Sequence, residues 1–145
     1  MSGKDIVLVV SVSIIKENKP KAWNKWNFPG GRVEYGEELL DSAWREAKEE
    51  TGFDVKLTGT TGIYNFTSST NNQIILFHFI GKIIGGALSL EEDIISASKW
   101  IKMEGFVQFD SGQLREPVVL KQIIARLIQK EFYPVEVFAK SSATP

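Results

Sequence analysis

The chain of 145 residues contains no cysteine, which excludes disulfides, thiolate nucleophiles and cysteine-bound metals. It has a single histidine, His78, too few for a histidine-based metal site. No block of basic residues stands out against a net charge of −1, so non-specific nucleic-acid binding is not expected. No apolar run approaches the roughly 20 residues of a membrane span. The nearest, Ile6 to Ile15, is short and broken by Ser11 and Ser13. With no signal peptide, linker, repeat or low-complexity tract legible, one cytoplasmic domain over 1–145 is expected, with 140–145 a frayed tail. An apolar content of 43% against 24% charged residues is that of a globular protein able to build a substantial core.

What the chain does have is concentrated between Pro29 and Phe53. Pro29-Gly30-Gly31 reads as a glycine turn where φ > 0 is available and the backbone can approach a ligand closely. A helix is expected from about Glu37 to Thr51, stopped by Gly52. Glu46, Glu49 and Glu50 fall at i, i+3 and i+4, so their carboxylates share one face. Leu39, Leu40, Ala43 and Ala47 form the neighbouring apolar arc, with Asp41, Arg45 and Lys48 turned the other way. Three carboxylates at this spacing repel by a few tenths of a kcal/mol per pair. Glu49 and Glu50 also occupy the last turn, where the macrodipole disfavours anions. A solvated acidic face is the bland reading. Clustered hard oxygens next to a glycine turn favour the other, a site for Mg²⁺ or Mn²⁺.

Along the rest of the chain, Ile6 to Ile15 reads as a buried strand and Trp23 to Phe28 as an extended segment. Phe53 to Leu57 reads as a short strand, Thr58 to Gly62 as a turn, Ile63 to Thr67 as another strand and Ser68 to Asn72 as a polar turn. Gln73 to Ile84 is apolar on both faces, hence a central strand, and His78 within it is expected to be a satisfied core residue. A further strand is expected over Ser96 to Ile101, a helical turn over Met103 to Gln108 and an amphipathic helix within Leu114 to Phe132, with Pro117 in its first turn. The pattern predicts α/β or α+β.

Gly31, Glu37 and the run Arg45-Glu46-Ala47-Lys48-Glu49-Glu50-Thr51-Gly52-Phe53 match every fixed position of the Nudix box. Trp26-Asn27-Phe28-Pro29-Gly30-Gly31 resembles its usual lead-in. The chain thus resembles the Nudix (MutT-like) hydrolases, which implies an α/β/α sandwich with a mixed sheet between helices. The resemblance also implies Mg²⁺- or Mn²⁺-dependent hydrolysis of a nucleoside diphosphate derivative, a small-molecule substrate, by a monomer or homodimer. Carried over by position, Glu49 and Glu50 would be metal ligands together with a backbone carbonyl of Gly30 or Gly31. Glu46 would bind a second metal or act on the water. Arg45 would hold the glutamates, and Glu37 would support the loop–helix junction. Many relatives add an acid from a later loop before a strand carrying a Trp like Trp100; here Glu92 or Asp93 would serve. Arg32 could meet a phosphate, and Trp23 could stack on a nucleobase or pack at a rim.

The substrate-subclass signatures of the ADP-ribose, dinucleoside-polyphosphate, coenzyme A and NADH enzymes are missing, which leaves a generic MutT-like (d)NTP pyrophosphohydrolase. Arg115-Glu116-Pro117-Val118 resembles the stretch with which MutT reads its purine, with Arg115 in place of Asn. A non-catalytic nucleotide sensor is the alternative, though such domains usually lose box glutamates and this chain keeps them. Isoprenoid-diphosphate isomerase chemistry would want a cysteine.

Overall fold

The computed structural model describes residues 5–16, 25–86, 101–102 and 117–140. In chain order the elements are β1 (Ile6–Lys16), β2 (Lys25–Asn27), β3 (Gly30–Arg32), α1 (Leu39–Thr51), β4 (Phe53–Thr67), β5 (Gln73–Gly86), β6 (Ile101–Lys102), α2 (Pro117–Ile128) and β7 (Tyr133–Pro134), followed by a 3-10 turn at Val135–Val137. The strands join in one mixed sheet in the order β6-β2-β1-β5-β4-β7, with β3 also beside β1. β1 and β5 are parallel, from Ile6 opposite Gln73 to Ile15 opposite Lys82, and the other pairings are antiparallel.

Period-2 alternation sends the side chains of the central strands to two different cores. Val10, Val12, Ile14, Val55 and Phe79 pack with Ala43 and Ala47 of α1 on one face. Tyr64, Leu76 and Ile80 pack with Val119, Ile123, Ile124 and Leu127 of α2 on the other. A sheet buried on both sides explains why β5 carries apolar residues on both faces through its middle. This is an α/β/α sandwich, as the resemblance implied.

Several boundaries differ from expectation. α1 begins at Leu39, two residues later than the periodicity suggests, because Glu34 to Glu37 form a turn in which the Glu37 amide donates to the Glu34 carbonyl at 2.9 Å. Residues 58–62 are not a turn between two strands but part of β4, whose register against β5 slips between Leu57 and Gly59 and again between Thr60 and Gly62. These slips are bulges, absorbed by Gly62 at φ 130° and by Thr60, whose hydroxyl donates to the His78 carbonyl and accepts from the Gly62 amide at 3.0 Å. α2 ends at Ile128, short of the Phe132 limit of the expected window; Val118 and Ile128 are exposed while Val119 joins the core. The strap after α2 was not anticipated: β7 pairs Gly59 and Thr60, and the Phe138 ring lies 4.9 Å from that of Phe79. Lys140, expected to begin the tail, lies 3.9 Å from Asp41. The expectations for 17–24, 87–100, 103–116 and 141–145 fall outside the described residues. Among those described, no helix is long and apolar enough to cross a membrane.

Candidate active site

The glycines do their work differently from the turn suggested by the sequence. Gly30 and Gly31 are strand residues, paired with Ser11 and Val10 of β1, and neither has positive φ. Their need for glycine is steric. A Cβ on Gly30 would stand 2.5 Å from the Val10 carbonyl oxygen, and one on Gly31 would stand 2.5 Å from Oε2 of Glu46. The missing side chains therefore let α1 bring its carboxylates against the β3 backbone. Positive φ is found instead at Gly36 (81°), in the turn before α1, and at Gly52 (82°), whose amide closes α1 by donating to Lys48 at 2.8 Å.

Glu50 accepts from the Gly30 amide at 3.1 Å, so strand and helix are tied at the end of the glycine segment. Its carboxyl is pushed up to about 7, chiefly by burial; the Gly30 N–H works against this, and the Glu46 and Glu49 carboxylates reinforce it. Arg45 does not turn away, as a bare helical wheel suggests. Its long side chain folds back toward β3. Nε and Nη2 make a bidentate pair with Glu37 at 2.7 and 3.0 Å, Nη1 donates to Glu46 at 2.9 Å and to Glu49 at 3.0 Å, and Nη2 also reaches the Arg32 carbonyl at 3.2 Å. This fork holds the Glu37 carboxyl down at about 2. Glu37 also accepts from the Glu34 amide at 3.1 Å, so it pins the loop–helix junction.

Gly30, Gly31, Glu46 and Glu50 thus meet in one place. Glu49 sits at its margin, 58% exposed, sharing Nη1 of Arg45 with Glu46. The Arg32 side chain is exposed. Trp23, Glu92, Asp93 and Arg115 lie outside the described residues. Among the described residues no three His, Cys, Asp or Glu side chains converge closely enough to hold a metal ion unaided. Mg²⁺ does not require that: it is commonly held by one or two carboxylates, with waters and phosphate oxygens completing the octahedron. A half-buried carboxyl whose pKa is raised by burial first and by acidic neighbours second is the donor chemistry that a hard cation relieves, so the residues fit such an ion.

His78 lies on the opposite face of the sheet. It is fully buried, with Nδ1 at 2.5 Å from the Ser11 hydroxyl and Nε2 at 2.5 Å from that of Ser13. Burial lowers its pKa to about 3, so it is a neutral, satisfied core residue, as expected. Its serine partners were not anticipated, although the Val-Ser-Val-Ser alternation of β1 places both on one face.

Comparison with known proteins bears on the family and the fold. The family model described as NUDIX domain matches residues 1–123. A Bacillus subtilis protein named "Putative 8-oxo-dGTP diphosphatase" is 34% identical over 76 residues, 52% of this chain and 49% of that protein. A Methanocaldococcus jannaschii protein named "ADP-ribose pyrophosphatase" is 38% identical over 66 residues, 45% of this chain and 39% of that protein. The chain thus spans about half or less of these relatives' length. The structure of a NUDIX hydrolase from Nitrosomonas europaea superposes with a TM-score of 0.77 at 18% identity, over 97% of this chain and 100% of that one.

Proposed function

The chain belongs to the NUDIX domain family, and from that premise we propose that it hydrolyses a diphosphate linkage in a nucleoside diphosphate derivative, acting as a (d)NTP pyrophosphohydrolase. The observation that carries the reading is the frustrated pair Glu46 and Glu50, set against a glycine backbone and braced by Arg45. Non-cleaving sensors usually lose box glutamates, and this chain keeps Glu46, Glu49 and Glu50.

Glu46, Glu49 and Glu50, with a carbonyl of Gly30 or Gly31, are the groups that would hold Mg²⁺ or Mn²⁺. When bound, such an ion neutralises phosphate charge and lowers the pKa of a coordinated water. Glu46 has the second task of orienting the attacking water or accepting its proton. Arg45 fixes the rotamers of Glu46 and Glu49, so that the acids need not reorganise as the reaction proceeds. The side-chain-free edge at Gly30 and Gly31 leaves room for a diphosphate to lie against backbone. Glu92 or Asp93 would add a later-loop acid, while Arg32, Arg115 and Trp23 would contact phosphate or base.

The relatives' names point to two substrates, an oxidised purine triphosphate and ADP-ribose. The first agrees better with the missing ADP-ribose signature in this sequence. The deciding experiment is a panel of NTPs, dNTPs, 8-oxo-dGTP, ADP-ribose, sugar nucleotides and dinucleoside polyphosphates, read for phosphate or pyrophosphate release. Metal-dependent turnover of a triphosphate, with pyrophosphate as product, is expected. Turnover undiminished in excess EDTA overturns the metal mechanism, and tight nucleotide binding with no turnover favours the sensor.

A further inference from the structure

β4 is paired along one side and open along most of the other. β5 follows it from Phe53 to Thr67, whereas β7 covers its outer edge only at Gly59 and Thr60. Past the bulge, the direction of the free groups follows from the pairing. The Gln73 amide donates to the Asp5 carbonyl, toward β1 and so away from β4. Gln73 stands opposite Thr67, which makes this a rung whose two residues do not bond each other. By the alternation of an antiparallel ladder, the Ile75–Asn65 and Phe77–Ile63 rungs are of the same kind. The N–H and C=O groups of Ile63, Asn65 and Thr67 therefore point out of the sheet, and among the described residues none has a backbone partner there. The segment Ile-Tyr-Asn-Phe-Thr has no charge and no proline. Ile63 is 56% exposed, and Asn65 and Thr67 are exposed as well. Natural edges are usually blunted by lysine, proline or a covering element. This one is not.

A cation marks its end. Arg126 of α2 donates through Nη1 to the Thr61 carbonyl at 2.7 Å, and its guanidinium lies 5.0 Å from the centre of the Tyr64 ring. A Cβ on Gly62 would stand 2.5 Å from that same nitrogen, so the glycine gives the guanidinium its seat against the strand. Among the described residues no carboxylate pairs with Arg126.

We propose that this edge takes the C-terminal end of another polypeptide as an added strand, with its terminal carboxylate on Arg126. Charge chooses the direction. A strand in line with β7 runs antiparallel to β4, from beside Thr67 toward Gly62, and so ends at the guanidinium. A parallel strand would bring its cationic N-terminus to the same place. The remaining guanidinium donors form the planar fork that suits a carboxylate. Three outward rungs offer about six main-chain bonds, the usual source of affinity when a peptide extends a sheet. Ile63 adds an apolar contact for one peptide side chain. β5 and β1 separate β4 from β3, so the peptide edge lies apart from the acids of α1.

The test uses the unmodified chain and a library of short peptides with free C-termini, degenerate at their last few positions. Fluorescence anisotropy should select peptides that bind saturably, and amidating a selected C-terminus should raise Kd by about tenfold or more. Amide hydrogen exchange gives the signature. Bound peptide should slow the Ile63, Asn65 and Thr67 amides and leave those of Tyr64 and Phe66, already turned toward β5, unchanged. Arg126→Gln still donates to the Thr61 carbonyl but carries no charge, so it should bind the free and amidated forms alike. A library from which nothing is selected overturns the proposal. So does equal affinity of the parent for the two forms, or protection that skips the three outward amides. Concentration-dependent protection of those amides without peptide would assign the edge to a second copy and overturn it too.

Discussion

Ser11 of β1 stands in register with Gly30 on one side and His78 on the other, so the same rungs of the sheet carry two polar clusters back to back. On the α2 face, His78 is buried between two serine hydroxyls with both ring nitrogens engaged. On the α1 face, Glu46 and Glu50 crowd a backbone amide and a single guanidinium, and burial drives the Glu50 carboxyl up to about 7. The first cluster is at rest: neutral, dry and matched donor to acceptor. The second is held in a state it would leave if it could, and a counter-charge from outside resolves it. Matched burial marks structure, and mismatched burial beside a side-chain-free backbone marks a site.

The comparison can be broken at either cluster. The largest effect is expected from Glu50→Gln, which removes the negative charge proposed to hold the cation but keeps the shape: kcat should fall by about 10²–10³-fold with no loss of melting temperature. A variant that melts early would mean that Glu50 is structural after all. Gly31→Ala should come next, since the added methyl must displace the Glu46 carboxylate. A loss of up to about 100-fold in kcat/KM is expected, with the far-UV spectrum unchanged, and unaltered kinetics would show that Glu46 does not need its present position.

His78→Leu tests the other side. It should leave kcat near the parent value and cost about 1–3 kcal/mol in denaturant unfolding, because two buried hydroxyls lose their partner. The pH dependence gives the sign. The imidazole stays neutral down to about 3 in the folded protein and takes its proton near 6.5 when unfolded, so the unfolded state binds more protons between these values. The parent should therefore lose about 1.4 kcal/mol per pH unit, relative to His78→Leu, as pH falls through that window. Parallel stability curves would refute the assignment of a neutral His78. The smallest effect belongs to Lys48→Gln. Its ammonium pairs with Asp54 at 3.1 Å on the exposed side of α1, and less than about 1 kcal/mol and no kinetic change are expected. Damage to turnover there would mean that the acids face the wrong way.

Much of this was legible in the sequence. The helix with its three glutamates, the Gly52 stop, the central β5 and the core role of His78 all follow from period and turn chemistry, which are local. What was missed is what needs a partner from elsewhere in the chain. A helical wheel turns Arg45 outward because it sees only the angle at Cα, whereas the long side chain curls back to reach Glu37 and the Arg32 carbonyl. Gly30 and Gly31 look like turn residues until β1 and Glu46 are in place to crowd them. The Thr58 to Gly62 segment reads as a turn because bulges and turns use the same small residues, and only the pairing with β5 tells them apart.

The parallel contact of β1 with β5 also has a kinetic side. β4 and β5 form a hairpin across a short polar turn, and α1 leads directly into it. β1, in contrast, meets β5 across 67 residues, as in the Ser11–His78 contact, and closing so long a loop is entropically slow to be repaid. The hairpin with α1 is therefore expected to gain protection first in pulse-labelled hydrogen exchange, with β1 and β3 following together; simultaneous protection would rule this order out. Since Gly30 and Gly31 take their strand pairing from β1, the chain would acquire most of its fold before the glycine edge beside the acids is complete.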